Sequence, residues 1–382
     1  MGSQAQPSPS NLTFWLRAFQ IVLTTKVGTY TLSNSQHESL RVTFSIDQYI
    51  YPLKAYWQAE VVIYNLSPAI VSAITQGTTN LQNPIMFATP LNMGDFVSIS
   101  GGYQYGSSGA WNPTTSLLYN GRVFQSIITR ENVVDYKMTL RLITALAEDI
   151  LNVASVPIAK GMSQLDIINQ ILLGSKNGIP IDQVDDASQN ILSNIKQPGS
   201  LAIKDRPLSV IQDIVKQNNL YSWISPNGLN IRSFGPQTFQ QTPAYAYGPP
   251  NLPGNNYAPN GTTTGVIKKT LLGVPSQTQD SMTFRVLMDS TPKIGDLVQL
   301  APDTIVQAVA LQYGGQQLPP LPSQTGVYVI GGLHHYGDNR GKGDDWYTEI
   351  LGLSVDYFTN FLGSRTLGAV LSNVNAATQF IH

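Results

Sequence analysis

From Leu40 to Asp47 the chain alternates strictly, with Leu40, Val42, Phe44 and Ile46 apolar and Arg41, Thr43, Ser45 and Asp47 polar. A period of two places one face of an extended strand against a core and the other against water. Ala59 to Tyr64 reads as a further strand, stopped at Asn65-Leu66-Ser67-Pro68. There Ser67 can cap and Pro68 can occupy the first turn of a short helix through Thr75, which would interrupt the sheet. The Gly101-Gly102-Tyr103 turn and a Gly-, Ser- and Asn-rich loop to Thr115 then lead into a hairpin, with strands Tyr119 to Ile128 and Tyr136 to Thr144 around the turn Thr129 to Asp135.

One pattern occurs twice. Asn92-Met93-Gly94-Asp95-Phe96-Val97-Ser98-Ile99 and Lys293-Ile294-Gly295-Asp296-Leu297-Val298-Gln299-Leu300 both open on a Gly-Asp turn pair and continue with apolar residues at every second position. Each is followed by a Gly-marked strand, a polar turn and an alternating return strand. In the second copy these are Gly326 to His335, Tyr336 to Asp345 and Trp346 to Ser354. Duplication of a whole antiparallel unit is the reading, with Leu91 to Ile99 and Asp296 to Leu300 as equivalent strands.

Between the copies the period changes to 3.6. Ser163-Gln164-Leu165-Asp166 is a capping signal, and Leu165, Ile168, Ile171 and Leu172 form an apolar stripe that ends at Gly174. Pro207 starts a second helix, with Leu208, Ile211, Ile214 and Val215 on one face. Tyr221 to Ile224 and Leu229 to Ile231, joined across Pro226-Asn227-Gly228, read as a hairpin. A small α/β domain at residues 158–234 is therefore expected inside a mainly β chain. The flanking segments are a leader (1–11), a first β-barrel domain with a short helical insertion (12–157) and a second β-barrel domain (266–358). Residues 235–265, rich in Pro, Gly, Asn and Tyr, are expected to hold no regular ladder, because proline lacks the amide donor. They form a connector or arm, and 359–382 is a weakly helical tail.

Composition narrows the class. Only 12% of the 382 residues are Asp, Glu, Lys or Arg, against about 25% in an average soluble domain. No stretch approaches the ~20 uninterrupted apolar residues of a spanning helix. The longest candidate, Leu12 to Leu23, contains Arg17 and Gln20 and has no basic segment before it, so neither a membrane span nor a secretory signal is expected. A surface of Ser, Thr, Asn, Gln and 18 Tyr suits an exterior covered by neighbours, and equally a neutral polar β-protein. With no cysteine there are no disulfides, thiolate nucleophiles or zinc-thiolate sites. A net charge of −1 without Lys/Arg clusters argues against an electrostatic grip on nucleic acid or acidic lipid.

Candidate chemistry is sparse. His334 and His335 are adjacent, so in a strand they point to opposite faces and do not share a metal easily. Asp338, Asp344 and Asp345 share a turn but lack the ligand spacing of a calcium loop. There is no Gly-x-Ser-x-Gly elbow. Glu38, Glu60, Glu131, Glu148 and Glu349 are scattered and form no glycosidase pair. Gly174-Ser175-Lys176-Asn177-Gly178 lacks the strand and ending of a phosphate loop. Trp15, Trp57, Trp111, Trp223 and Trp346 suggest a sugar platform or, more simply, core and interface packing. No catalytic, cofactor or metal residue is assigned.

The motif order nevertheless resembles a family. A strand, Asn65-Leu66-Ser67 and a short helix are followed by Gly94-Asp95-x-Val97, Gly101-Gly102-Tyr103 and Asn120-Gly121-Arg122-Val123. An α/β insertion, Gly273-Val274-Pro275, Gly295-Asp296-x-Val298 and a His-rich strand with Gly337-Asp338 and Trp346 complete the order. Over about residues 12 to 358 this is similar to the baseplate hub proteins of bacteriophage tails and related contractile injection systems. The resemblance implies two tail-tube-like antiparallel β-barrel domains plus a small α/β domain, marked by Gly94, Asp95, Val97, Gly102, Tyr103, Gly121, Gly295, Asp296, Val298, Gly331 and Trp346. It also implies a non-enzymatic virion protein without cofactor, made in the host cytoplasm and placed in the tail baseplate. Three chains would form a ring of six similar units, adapting the six-fold tail tube to a three-fold central spike. Partners would be the tail tube protein, the spike and other baseplate (wedge or tail-tip) proteins, with viral DNA passing through without sequence-specific binding. A carbohydrate-binding or wall-degrading tail component, or a tail-tip or tube-terminating protein on the same fold, is the alternative.

Overall fold

The structure is a computed structural model and describes residues 15–34, 40–51, 58–78, 95–105, 111–133, 135–144, 154–174, 180–225, 227–234, 238, 241–248, 267–277, 280–300, 326–341, 345–354 and 357–358. In chain order the first part contains β1 (Trp15–Thr24), β2 (Thr29–Ser33), β3 (Val42–Tyr49), β4 (Gln58–Tyr64), α1 (Pro68–Thr78), β5 (Phe96–Tyr105), β6 (Leu117–Arg130) and β7 (Tyr136–Ile143). The middle part contains β8 (Ala154–Ile158), α2 (Gln164–Gly174), β9 (Ile181–Val184), α3 (Asp186–Asn194), β10 (Leu201–Asp205), α4 (Pro207–Gln217), β11 (Tyr221–Ser225) and β12 (Gly228–Arg232). The last part contains β13 (Tyr245–Gly248), β14 (Ile267–Gln277), β15 (Ser281–Leu287), β16 (Leu297–Leu300), β17 (Val327–Asp338) and β18 (Trp346–Leu353).

The chain is mainly β, with a large antiparallel sheet and an α/β insertion, as its periodicities require. Thirteen strands form one sheet in the order β16-β13-β14-β15-β18-β17-β3-β4-β7-β6-β5-β1-β2, and β16 also pairs with β17. Two runs in this order are copies of one another. β3-β4-β7-β6-β5-β1 and β14-β15-β18-β17-β16-β13 visit equivalent strands in the same sequence, and the first four junctions of each run are antiparallel. The likeness extends to single hydrogen bonds: the amide of Val123 donates to Asp95 O at 2.8 Å, and that of Ile330 to Asp296 O at 2.9 Å. It also extends to a one-residue bulge, at Phe124 between Val123 and Gln125 in β6, and at Gly331 between Ile330 and Gly332 in β17.

The copies differ in how they close, and the second does so through parallel ladders. In the second copy β13 pairs in parallel with both β14 and β16, so its six strands return on themselves. In the first copy β1 is antiparallel to β5 and continues into the β1–β2 hairpin, and no ladder joins it to β3 among the described residues. That gap is occupied from the second copy. Arg17 Nη1 donates to Asp338 O and Gly341 O at 2.5 and 3.0 Å, Asn339 Nδ2 donates to Leu40 O at 2.8 Å, and Trp346 enters the first core.

Several local expectations are corrected. The 235–265 stretch does contribute a ladder, because β13 lies entirely between Pro243 and Pro249 and buries Ala246 and Tyr247. The second hairpin strand runs on to Asp338, where the expected turn began at Tyr336, since β3 continues to pair with it as far as Thr43↔Asp338. Leu12 to Leu23 overlaps β1, whose Phe19, Ile21 and Leu23 are fully buried. α3 had no apolar stripe to announce it: only Ser188 and Leu192 are buried, and Asp185 Oδ1 caps it by accepting from Ser188 N at 3.2 Å.

α2 starts as read. Ser163 Oγ donates to Asp166 Oδ2 at 2.5 Å, and Asp166 N donates back to Ser163 Oγ at 3.1 Å, a reciprocal cap. The apolar faces of α2 and α4 share a core with β8, β11 and β12 that is distinct from the main sheet core, with Ile168, Ile171, Ile211, Val215 and Ile231 at its centre. Pro68 opens α1 as expected.

Candidate functional site

Apart from Gly94, which lies outside the described residues, the residues singled out in the sequence fall into three neighbourhoods and make no single site. The first is the turn into β5. Asp95 is 4% exposed, and one of its carboxylate oxygens is buried without a hydrogen-bond partner. Burial raises its pKa to about 6, with Lys26 pulling in the opposite direction. Val97 pairs with Gly121, and a Cβ on Gly121 would stand 2.5 Å from the Tyr119 hydroxyl, so only glycine lets the buried Tyr119 ring lie across the strand.

The equivalent turn in the second copy is built differently. The Asp296 carboxylate accepts from Lys293 N at 2.9 Å, and Gly295 has φ +87, a backbone that side chains rarely adopt. A Cβ there would meet the Trp223 ring at 2.7 Å. Arg232 Nη1 donates to Gly295 O at 3.1 Å, so this turn is where the α/β insertion seats on the second copy. Val298 is fully buried and pairs with Tyr328. A Cβ on Gly331 would stand 2.2 Å from Leu353 Cδ1, which ties the bulge to the opposing strand.

The third neighbourhood is the interlock. Trp346 is 1% exposed; its Nε1 donates to Gly102 O at 3.0 Å, and the Tyr103 hydroxyl donates to Trp346 O at 2.7 Å. Its ring meets Phe44 edge-on at 5.2 Å between centroids. Gly102, Tyr103 and Trp346, more than 240 positions apart in sequence, thus hold the first copy shut with a side chain from the second.

Between the copies β17 changes partner at its bulge. Val327 to Val329 pair with β16 and Gly332 to Asp338 pair with β3. As a result β14-β15-β18-β17-β3-β4-β7-β6 is an unbroken antiparallel run through both copies. Its outer face carries cross-strand polar pairs: Arg285 with Glu349 at 2.7 Å, the His334 ring with Asp47 at 3.0 Å and Arg141 with Glu60 at 3.2 Å. Groups of both signs share this face, with Asp47 and Glu60 on neighbouring strands, so it is polar and carries no basic patch. His335 points the other way, is fully enclosed and shares a 2.9 Å hydrogen bond with Thr348 Oγ1 through Nδ1. Burial, reinforced by neighbouring His334, lowers its pKa to about 3.

Among the described residues nothing in this arrangement assembles an acid–base or nucleophilic constellation. Among the described residues no group of three or more His, Asp or Glu is placed to hold a metal, and no helix is long and apolar enough to cross a membrane. A cleft of about 370 Å³ lies where the first copy, the α/β insertion and the second copy meet, lined by Gln48, Leu118, Asp182, Trp223, Arg232 and Lys293 among others. Trp346 is buried and presents no stacking surface, and Trp223, 7% exposed, forms part of the cleft wall; the side chains of Trp15 and Trp57 lie outside the described ones.

No protein-family model matches the chain, and no curated protein matches it in sequence. Solved structures that the chain is similar to include tail and secretion-system proteins. The E. coli c3393 protein, a component of the type VI secretion system with structural similarity to the T4 bacteriophage tail proteins gp27 and gp5, is 6% identical. It has a TM-score of 0.47 over 82% of this chain and 73% of that one. The tail protein from Neisseria meningitidis MC58 is 10% identical, with a TM-score of 0.48 over 89% and 97%. A PdpA–VgrG complex in its lidless form is 9% identical, with a TM-score of 0.46 over 92% and 67%. At such identities and scores the likeness carries no argument, and fold and function must be argued from the chain itself.

Proposed function

We propose that this protein is a non-enzymatic structural hub of a phage-type tail baseplate. Three chains form a ring that adapts a six-fold tail tube to a three-fold spike and surrounds a channel through which viral DNA passes. The observation that carries the reading is the repeated strand order joined by the β17–β3 ladder: one chain already holds two equivalent units side by side in one sheet. Two units in each of three chains make six quasi-equivalent positions while retaining three-fold symmetry, the geometry an adaptor needs. The polar face of mixed sign suits a channel wall, because a strongly basic wall would hold a nucleic-acid backbone where passage requires release. The low charge content fits an exterior covered by tube, spike and neighbouring baseplate proteins.

Light scattering on the purified protein tests this. A mass three times the 41.6 kDa of one chain, with six similar lobes in micrographs viewed down the axis, is the expected result. A single-chain mass at all concentrations overturns it.

A further inference from the structure

The cleft where the first copy, the α/β insertion and the second copy meet holds nearly buried acceptors that no described residue satisfies. Gln48 pairs with Leu333 and Ile46 with His335, so Gln48 and His335 are diagonal neighbours on the inner face of the β3–β17 ladder. Both line the cleft, at 5% and 2% exposure. Gln48 Nε2 donates to Leu118 O at 2.6 Å, which fixes the amide and leaves Oε1 without a partner among the described residues. Thr348 Oγ1 donates to Asp289 O at 3.3 Å, so it accepts its 2.9 Å bond from His335 Nδ1. Burial keeps the ring neutral, and its lone pair therefore sits on Nε2, at the edge away from Thr348 and without a partner among the described residues. The insertion adds Asn230, 4% exposed, whose Nδ2 donates to Asp182 Oδ2 at 3.1 Å and Gly228 O at 3.2 Å. Its Oδ1 is likewise unpartnered among the described residues.

Nearly buried acceptors without donors are costly, and native structures keep them where a ligand or ordered water completes them. Water alone leaves the rest of the wall unexplained, because Leu118, Trp223, Pro292 and Ile294 line the same space with apolar surface. Charge selects further. Asp182 and Asp296 share the cleft with Arg232 and Lys293, so the signs balance and neither an anion nor a cation is favoured. Arg232 is held by bonds to Gly295 O and Gln183 Oε1 at 3.1 and 3.2 Å, which leaves further guanidinium N–H groups for a ligand oxygen. We infer that this cleft binds a neutral sugar ring. Sugar hydroxyls donate to Gln48 Oε1, His335 Nε2 and Asn230 Oδ1 and accept from Arg232 and Lys293, while the C–H face of the ring lies on the wall around Trp223. A volume of about 370 Å³, apolar walls and a few convergent polar groups are the anatomy of a small-molecule pocket. Gln48, His335 and Asn230 come from the first copy, the second copy and the insertion, so the site exists only where all three are docked.

Saturation-transfer NMR on the full chain, with glucose, galactose, mannose and N-acetylglucosamine as probes, tests the assignment. Transfer to at least one of these sugars is expected at pH 7.5. His335→Asn keeps a partner for Thr348 Oγ1 but withdraws Nε2, and should weaken that binding about tenfold. Thr114 lines the cleft from an exposed position, and its hydroxyl makes no hydrogen bond among the described residues. Thr114→Trp should therefore fill the cleft and abolish binding while the protein stays folded. The methyl glycoside of the bound sugar separates two sources: affinity equal to that of the free sugar marks a glycan chain end, and lost affinity marks a soluble sugar. Transfer to none of the probes, transfer undiminished in folded Thr114→Trp, unchanged affinity in His335→Asn, or tighter binding of glucuronate or guanidinium overturns the inference. The hub reading is tested separately, since a single-chain mass overturns that reading and leaves the sugar site standing.

Discussion

His335 ties the stability of the β17–β18 core to pH. The ring is fully buried and its pKa is lowered to about 3, first by burial and then by His334, while the unfolded chain returns it to about 6.5. The folded state therefore excludes a proton that the unfolded state accepts. The contribution is complete above pH 6.5 and is lost as pH falls from there toward 3. Each pH unit inside that window costs about 1.4 kcal/mol, so acidification from pH 7.5 to 5 removes about 2 kcal/mol through this group alone. Asp95 works in the opposite sense. Its folded pKa of about 6 lies above the unfolded value, so the protonated carboxyl stabilises at low pH and the gain is lost as pH rises from about 4 through 6. The two slopes oppose one another between pH 4 and 6, and the wild-type curve alone conceals both. The informative variant is His335→Asn, whose amide reaches the position of Nδ1 and keeps a partner for Thr348 Oγ1. Urea unfolding at pH 7.5, 6 and 5 should find it about 1–3 kcal/mol less stable than wild type at pH 7.5, from lost packing. That deficit should shrink by about 2 kcal/mol at pH 5. Parallel wild-type and variant curves across this range would refute the assignment of the acid slope to His335.

The remaining predictions concern the turns and the interlock. Asp95→Asn removes a buried charge while keeping shape, so it should raise Tm at pH 7–8 and leave it nearly unchanged at pH 4; a lower Tm at pH 8 would show that the carboxylate is stabilised by a partner. Trp346→Ala should cost about 3–5 kcal/mol in urea unfolding, because it empties the junction of both copies and orphans Gly102 O; a cost below 1 kcal/mol would mean that the first copy closes without it. Gly295→Ala combines a positive φ with a 2.7 Å approach to Trp223 and should destabilise by about 1–3 kcal/mol. Its effect should appear in Trp fluorescence as well as in Tm, and an unchanged spectrum would disconnect the turn from the α/β insertion.

What was legible in the sequence is what local geometry demands of a side chain. Alternation marked β3, β7 and β18, and the reciprocal Ser163–Asp166 cap marked α2. β13 escaped because four residues between prolines are too few to display a period, and its ladder depends on two strands far along the chain. α3 escaped because it buries one apolar side chain and one serine. The Gly-Asp pair revealed the duplication because a turn into a strand restricts which residues fit. Yet the two turns hold their carboxylates in contrasting ways, one buried with an unpartnered oxygen and the other accepting from Lys293 N.

The bulges show the opposite case. Phe124 and Gly331 occupy the same place in the two ladders and have nothing chemical in common, because a bulge is defined by counting residues between hydrogen bonds. At Gly331 the space is filled by Leu353, so glycine is required; at Phe124 the residue faces outward and size is unconstrained. Equivalent backbones with inequivalent surroundings are what a duplicated unit acquires once its copies adopt different neighbours. The second copy closes on itself through β13, and the first is held shut by Trp346 and the Asp338–Gly341 turn. The first copy therefore depends on the second for its closure. The two units form one cooperative body even though each follows the same strand order, and a chain cut between them should leave the first with an open edge and an unfilled core at Phe44 and Gly101.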